Sequence, residues 1–210
     1  MHVLLAAVAI ASAHANEPAT EQLEFFETLP DDDLTSYGGK AEATDHILKA
    51  AKATSDFYIE NTASDGIPYW DTGAPRLAQL GSYLKQPADP FNDIEPVDSS
   101  AAAITAQGLI RLGNHLKKQG EQAAGKRYYQ AGLTVADTLF AEPYLSESDE
   151  HQGLILHSIY HRPNGWDYIP EGRAIPCGES SMWGDYHARE LGLLLLRELE
   201  NQPYLTFWGN

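Results

Sequence analysis

The chain has almost no cysteine and few basic side chains. Its 210 residues include one cysteine, Cys177, which excludes an intramolecular disulfide and any cysteine-rich zinc site. A lone cysteine is more often a small buried apolar group than a nucleophile. The chain carries 14 Lys and Arg against 30 Asp and Glu, a formal net charge of −16. Such a charge disfavours nucleic acid as a partner, because counterion release requires clustered cations.

No apolar run is long enough to span a bilayer, so we expect no membrane partner. An apolar stretch from Val3 to Ala13 precedes Ala13-His14-Ala15, a pattern typical of a signal-peptide cleavage site. The absence of Lys and Arg before this stretch argues against a signal, and an alanine-rich run of this length is equally typical of a buried helix. Both interpretations stay open. A signal implies a periplasmic or secreted protein, and a buried helix a cytoplasmic one.

Helical periodicity recurs along the chain and indicates an all-α fold. Apolar positions three and four residues apart predict helices over residues 40–61, 98–120 and 121–140, after an amphipathic segment that begins near residue 17. Asp98 is a candidate N-cap, and Gly120 predicts a tight turn between two antiparallel helices. A last helix from about residue 180 is leucine-rich nearly all round, so we expect it to be buried between neighbours.

The segments between these helices combine Pro and Gly with aromatic side chains. Irregular segments on a rigid helical scaffold are where binding groups are concentrated. Aromatic rings with polar edges are suited to stacking on sugars, although core packing explains each ring equally well. The candidate rings are those of Tyr69, Trp70, Trp166, Tyr168, Trp183 and Tyr186.

Each loop carboxylate is a candidate for acid–base chemistry and also has a structural explanation. Asp98 is better explained as a cap, and Asp185 is placed either to complement a helix dipole or to line a pocket. Glu179, Ser180 and Ser181 precede the last helix, where free N–H groups favour an anion and where the serines are equally suited to capping. The full set of carboxylates is Asp71, Asp98, Asp167, Glu179 and Asp185.

His157 and His161 are four residues apart, the spacing of a metal pair if the segment is helical. Pro163 and the absence of a third, carboxylate ligand favour a structural role. We therefore expect no metal and no cofactor.

Four motifs, in order along the chain, resemble the unsaturated glucuronyl hydrolases of glycoside hydrolase family 88. They are G-I-P-Y-W-D-T-G-A-P (66–75), E-P-V-D-S-S-A-A-A-I (95–104), H-S-I-Y-H-R-P-N-G-W-D-Y-I-P-E-G (157–172) and S-S-M-W-G-D-Y-H-A-R-E (180–190). The resemblance implies an (α/α)6 barrel, with residues 41–210 as its C-terminal part and residues 1–40 as an atypical N-terminal segment. It also implies removal of a Δ4,5-unsaturated uronic acid from oligosaccharides released by polysaccharide lyases, through hydration of the C4=C5 double bond.

The upstream motifs of that family are missing, since the chain has no Arg-Gly-Gln and no Asp directly after a His. We therefore expect a fragment, a truncated gene model or one half of a split gene, with the missing N-terminal half as a partner. Residues 1–16 would then be a remnant of a barrel helix. We predict that no catalytic residue lies in this chain. The predicted substrate contacts are Ser181, Trp183, Tyr186, Trp70, Trp166 and Asp185.

Two other functions fit the same sequence. The unsaturated rhamnogalacturonyl hydrolases share the fold and mechanism and differ in the sugar that they accept. A non-catalytic helical-repeat binding module is the alternative outside the enzymes, although no fixed period of roughly 34 residues recurs.

Overall fold

The computed structural model describes residues 16–206, where the chain forms five α-helices joined by irregular segments. The helices are α1 (Asn16–Thr28), α2 (Lys40–Asn61), α3 (Ser99–Lys118), α4 (Gln122–Leu139) and α5 (Met182–Leu199). Short 3₁₀ turns occur at residues 31–37, 77–80, 83–85 and 162–164, with isolated β-bridges joining Tyr69 to Val97 and Leu145 to Ile155. The predicted all-α fold class is confirmed.

The predicted helix bounds agree closely with the structure because they rest on local signals. α2 occupies the predicted residues, and Asp98 caps α3 by accepting hydrogen bonds from the N–H groups of Ser100 at 3.0 Å and Ala101 at 3.3 Å. The predicted signal peptide or remnant helix lies mostly outside the described residues and stays untested. Within residues 16–206, no helix is long and apolar enough to cross a membrane.

α3 and α4 form an antiparallel hairpin that packs closely along a seam of glycines. A Cβ atom on Gly113 would lie 2.6 Å from the backbone nitrogen of Tyr129 and 2.7 Å from the carbonyl oxygen of Gly125. A Cβ on Gly132 would lie 2.7 Å from the side chain of Ile110. These distances are too short for any side chain, so the seam requires glycine where the two backbones approach each other.

α1, α3 and α5 run in the same direction, with α3 in the middle. Successive contacts along α3 meet successive residues of α1 on one side and of α5 on the other. The pairs with α1 are Arg111–Glu21 at 2.6 Å and His115–Glu27 at 3.7 Å, and the pairs with α5 are Ser100–Trp183 at 3.1 Å and Gln107–His187 at 3.3 Å. α2 and α4 run back in the opposite direction, as alternate helices of stacked helix pairs do.

This arrangement places both long irregular segments at one end of the helices. Residues 62–98 lead into α3 and residues 140–181 lead into α5, so both end beside the parallel N-termini of those helices. The short connections, residues 29–39 and 119–121, lie at the opposite end. The loop-rich end is therefore where candidate binding side chains are gathered.

The prediction that α5 is buried on all sides is wrong for the described chain. Ala188, Leu191 and Leu194 are buried on the side that faces α3, whereas Leu193 is 42% and Leu196 50% exposed. The leucine pattern correctly marks two apolar faces, but only one of them has a neighbour among residues 16–206. Phe57 of α2 and Leu133 of α4 are likewise exposed.

Candidate functional site

An exposed stack of aromatic rings lies at the loop-rich end. The ring of Tyr160 lies against Trp183, with centroids 5.2 Å apart and planes 26° apart, and against Trp166 at 5.8 Å and 31°. Trp166 also contacts the ring of His161 at 5.0 Å. Tyr160 is 56% and Trp166 61% exposed, which is unusual for rings that serve only as core. Trp166 and Trp183 were each predicted as substrate contacts, and Tyr160, which joins them, was missed.

The loop that carries Tyr160 and Trp166 is held by hydrogen bonds to the carboxylate of Asp167, which belongs to the same loop. Asp167 accepts hydrogen bonds from the backbone N–H groups of Tyr160 and His161. The imidazole Nδ1 of His161 accepts from the N–H of Asn164 at 3.3 Å and caps the 3₁₀ turn between them. The two rings therefore face each other because the intervening turn has a fixed shape.

The start of α5 holds Trp183 from the other side. Ser181 is the N-cap, and its hydroxyl accepts a hydrogen bond from the N–H of Gly184 at 3.1 Å. The indole N–H of Trp183 donates to the hydroxyl of Ser100 at 3.1 Å, and that hydroxyl donates to Asp98 at 2.6 Å. Trp183 is thus anchored to the first turn of α3.

Asp185 uses its carboxylate to hold the loop before the stack. Its oxygens accept hydrogen bonds from the backbone N–H groups of Leu154 at 2.9 Å and Ile155 at 3.0 Å. These bonds differ from both roles predicted for Asp185, which were to complement the helix dipole or to line a pocket. Substrate contact by Asp185 stays a prediction.

The other predicted contacts lie apart from the stack or beside it. Tyr186 is 46% exposed, follows Trp183 by about one turn and donates its hydroxyl hydrogen to Glu190 at 2.6 Å. Trp70 donates its indole N–H to the buried carboxylate of Glu95 at 2.8 Å, and among the described residues no ring contact joins it to the stack. The structure therefore gathers Ser181, Trp183, Trp166 and Tyr186, and leaves Trp70 separate.

Most of the candidate carboxylates already accept hydrogen bonds from the backbone. Asp71 accepts from the N–H of Gly73 at 2.6 Å, and Asp98, Asp167 and Asp185 accept the bonds given above. Glu179 is the exposed exception, on the segment just before α5.

The paired histidines do not lie together on a helix. His161 caps its turn, while His157 is 2% exposed and accepts a hydrogen bond from the N–H of Gly178. Among the described residues, no cluster of three or more His, Cys, Asp or Glu side chains is placed to bind a metal.

A groove of about 740 Å³ has none of the stacked rings among its lining residues. It is open to solvent and follows residues 142–156, with Glu142, Glu147, Glu150 and His151 among its lining residues. Sugar stacking is better served by the exposed rings, because the groove offers no aromatic face. The described chain alone does not enclose the aromatic stack.

Comparison with known proteins identifies relatives of one kind. No protein-family model matches the chain. It is 28% identical over 159 residues to the unsaturated glucuronyl hydrolase of Bacillus sp. strain GL1, covering 75% of this chain and 35% of that protein. It is 30% identical over 145 residues to the unsaturated glucuronyl hydrolase of Formosa agariphila, covering 68% of this chain and 29% of that protein.

Solved structures agree in fold. The crystal structure of the Bacillus sp. GL1 enzyme matches 89% of this chain and 39% of its own, with a TM-score of 0.58 and 22% identity. An unsaturated glucuronyl hydrolase specific for heparin matches 92% of this chain and 42% of its own, with a TM-score of 0.58 and 19% identity. A Streptococcus agalactiae enzyme variant in complex with dGlcA-GalNAc6S has a TM-score of 0.56 and 18% identity, covering 91% of this chain and 40% of its own.

The parallel α1, α3 and α5, the antiparallel α2 and α4, and the loops gathered at one end define part of an α/α toroid. The chain belongs with the unsaturated glucuronyl hydrolases, the family that its four loop motifs resemble. It spans about a third of the length of the curated relatives that it matches.

Proposed function

We propose that this chain forms the aromatic wall of a glycoside hydrolase site that removes a Δ4,5-unsaturated uronic acid from an oligosaccharide. The observation that carries the proposal is the exposed Trp183–Tyr160–Trp166 stack at the loop end of a toroid. Flat rings with polar edges bind the apolar faces of sugars. The relatives are named unsaturated glucuronyl hydrolases, and this name indicates that the site binds the unsaturated uronic acid of the oligosaccharide.

The chemistry is hydration of an enol ether. An acid donates a proton to C4 of the unsaturated sugar and the oxygen of a water bonds to C5, while one of that water's two protons passes to a base and the other stays in the new hydroxyl. The hydrated ring then opens and the glycosidic bond breaks without direct displacement at the anomeric carbon. The contribution of the stack is to hold the sugar rings in position for this addition.

The proton donor is proposed to come from outside this chain. Asp98, Asp167 and Asp185 are engaged by backbone N–H groups, and Glu179 lies in the open on a loop. A useful acid at neutral pH requires a raised pKa, which desolvation or a neighbouring negative charge provides. An acid gains such a pKa here only when a further part of the protein covers the site from the side opposite the stack.

The exposed face of α5 is the proposed docking surface for that wall. Met182, Tyr186, Leu193 and Leu196, here called the α5 stripe, are 85%, 46%, 42% and 50% exposed and recur three, four or seven residues apart. They lie opposite the face that packs on α3. Because a toroid closes on itself and this chain matches about two fifths of the solved toroids, the occupant is proposed to be the remaining part of the ring.

An activity assay tests the source of the acid. The purified chain is incubated with dGlcA-GalNAc6S, and loss of the ultraviolet absorbance of the double bond is followed. We expect no turnover by the chain alone, and weak binding in saturation-transfer NMR that Tyr160→Ala abolishes. Turnover that Glu179→Gln removes would place the acid in this chain, and binding unaffected by Tyr160→Ala would overturn the role of the stack.

A capture experiment tests the docking surface. The probe is the part of the Bacillus enzyme that this chain does not match, co-expressed with the wild-type chain or with Leu193→Glu/Leu196→Glu. We expect the wild-type chain to copurify with the probe and the double variant not to. The control Phe57→Glu changes an exposed apolar site on α2 and should still copurify. A wild-type chain that forms a dimer broken by the double variant would instead identify a second copy as the occupant, and absence of capture with a monomeric chain would overturn the surface.

A further inference from the structure

His157 has a backbone conformation that is uncommon outside glycine. Its φ is 67°, in the left-handed region, and the residue is 2% exposed. Outside glycine this region is taken mainly by Asn, Asp and His, and a residue kept there is held by its surroundings. The contacts that hold His157 connect three separate segments of the chain.

The imidazole accepts a hydrogen bond at one ring nitrogen. Nδ1 accepts from the N–H of Gly178 at 3.1 Å, and the backbone of Pro143 lies near the ring. The rings of Phe91 and Tyr144 pack edge-to-face with the imidazole, with centroids 4.9 and 5.8 Å away. The bond from Gly178 requires the neutral tautomer with a bare Nδ1.

The same junction continues through the backbone. The carbonyl of His157 accepts from the N–H of Ser99 at 3.1 Å, and the N–H of Ser158 donates to the carbonyl of Glu179 at 2.9 Å. The hydroxyls of Ser99 and Ser158 are 3.0 Å apart. The segment that begins at His157 is thus joined both to the start of α3 and to the irregular segment that leads into α5.

The charges that face the ring are Arg173 and Asp89, with the phenol of Tyr144 alongside. Burial, with a smaller contribution from the charge of Arg173, lowers the pKa of His157 to about 4, although the backbone of Pro143 and the charge of Asp89 oppose the shift. The ring is therefore neutral at ordinary pH and gains a proton only in acid.

Both halves of the aromatic stack depend on this junction. Tyr160 follows closely after His157, and Trp183 follows closely after Gly178, so the bond between His157 and Gly178 ties together the two segments that carry the stacked rings. If Nδ1 becomes a donor, it meets the N–H of Gly178 donor to donor, and of the two hydrogen bonds that join these segments only the one from Ser158 to Glu179 remains.

We propose that neutral His157 is the positioning residue that holds the Tyr160 and Trp183 segments in register, so that protonation of its ring takes the stack apart while the helices remain. The inference concerns the assembly of the stack and does not depend on the proposed function. In this proposal the buried His157 controls the arrangement of the exposed stack without contacting the stacked rings.

The test compares acid titrations of the wild type with His157→Asn and His157→Ala. Asn adopts left-handed backbone readily and has a side-chain oxygen that can accept from Gly178, but it does not titrate. The near-ultraviolet circular dichroism reports the stacked aromatics, and the far-ultraviolet signal reports the helices. His46→Asn, at an exposed histidine of α2 that has no contact with the stack, is the matched control.

We expect the wild type and His46→Asn to lose the near-ultraviolet signal near pH 4, before the helical signal. His157→Asn should keep the signal to a pH at least one unit lower. The loop carboxylates are common to all variants, so any effect that they have cancels in the comparison. His157→Ala should lack the signal at every pH, and if it does not fold, the Asn variant alone decides. The same midpoint for His157→Asn and wild type, or an NMR titration of His157 at an ordinary pKa, would overturn the proposal.

Discussion

The indole of Trp183 is fixed on two sides, by the ring of Tyr160 at 5.2 Å and by the hydroxyl of Ser100 at 3.1 Å. One contact reaches a loop residue and the other reaches the first turn of α3. A large aromatic ring with one hydrogen-bonded edge and one stacked face is held in a single orientation. Trp183 thereby transmits the position of the helical scaffold to the exposed loop rings.

This double contact predicts the effect of Trp183→Phe. The phenyl ring keeps the stack but loses the hydrogen bond to Ser100, whose hydroxyl still donates to Asp98. We expect the free energy of unfolding to fall by about 1 kcal/mol, the usual net value of one hydrogen bond, with some added loss from the smaller ring. Urea denaturation measures the change.

Trp166→Phe is the control for that measurement. Trp166 belongs to the same stack, but it is 61% exposed and has no side-chain hydrogen bond among the described residues. Its replacement should change the stability by less than about 0.5 kcal/mol. Equal losses for the two variants would show that the bond to Ser100 contributes nothing.

The sequence was sufficient wherever structure is decided locally. The bounds of α2 follow from spacing along one segment, and the cap at Asp98 follows from two neighbouring serines. Tyr160 was missed because its role depends on Trp183 and Trp166 meeting across a loop, which no periodicity encodes. The exposed Leu193 was predicted as buried because an apolar pattern marks a face without indicating what covers it.

Asp185→Asn should destabilise the loop that Asp185 holds. The carboxylate accepts the N–H groups of Leu154 and Ile155, and an amide would turn one N–H₂ group toward these donors or leave one of them unpaired. Hydrogen bonds to a charged group contribute about 1.5–3 kcal/mol, so we expect a loss of stability of that order. Amide hydrogen exchange should become faster at Leu154 and Ile155 before other sites.

Glu190→Gln is the matched control on the same helix. Glu190 accepts from the hydroxyl of Tyr186, and the amide oxygen of Gln can accept the same bond. The variant should change the stability by less than about 0.5 kcal/mol. If Asp185→Asn behaves in the same way, the carboxylate is not what holds residues 154 and 155.

Two glycine substitutions in helices should have opposite signs. Gly113→Ala places a Cβ 2.6 Å from the backbone nitrogen of Tyr129, so α3 and α4 must move apart. Gly192→Ala in α5 meets nothing closer than Phe140 at 3.8 Å. We expect the first to cost at least about 2 kcal/mol through the strain of overpacking. The second should stabilise the protein by about 0.5–1 kcal/mol because alanine is the better helix former.

Thermal unfolding of both variants tests the glycine seam. A higher melting temperature for Gly192→Ala together with a lower one for Gly113→Ala is the expected result. A stable Gly113→Ala variant would mean that the hairpin tolerates a wider separation, and the close approach of α3 and α4 would then not be required for the fold.

Glu24 and Glu21 lie on the same helix near Arg111 and should respond differently to loss of charge. Glu21 pairs with Arg111 at 2.6 Å, whereas Glu24 accepts from the hydroxyl of Tyr204. Burial raises the pKa of the Glu24 carboxyl, and the bond to Tyr204 and the charge of Arg111 only partly oppose this. The folded state therefore binds a proton at Glu24 more readily than the unfolded state does.

The sign of the pH dependence follows directly. A raised folded pKa means that the favourable contribution of Glu24 is complete in acid, below its unfolded pKa, and is lost as the pH rises through the folded pKa. Each unit of the shift corresponds to about 1.4 kcal/mol. Glu24→Gln keeps an acceptor for Tyr204 and does not ionise, so its stability relative to the wild type should increase with pH across that interval.

Glu21→Gln should have the opposite effect at neutral pH, because it leaves the buried Arg111 without its direct partner. Removing one member of a buried pair is strongly unfavourable, and we expect a loss of at least about 1 kcal/mol, since Glu21 is itself partly exposed. Urea denaturation of the two variants at pH 4 and pH 7 provides the comparison. Parallel losses at both pH values would show that the two carboxylates act as one interchangeable pair with Arg111.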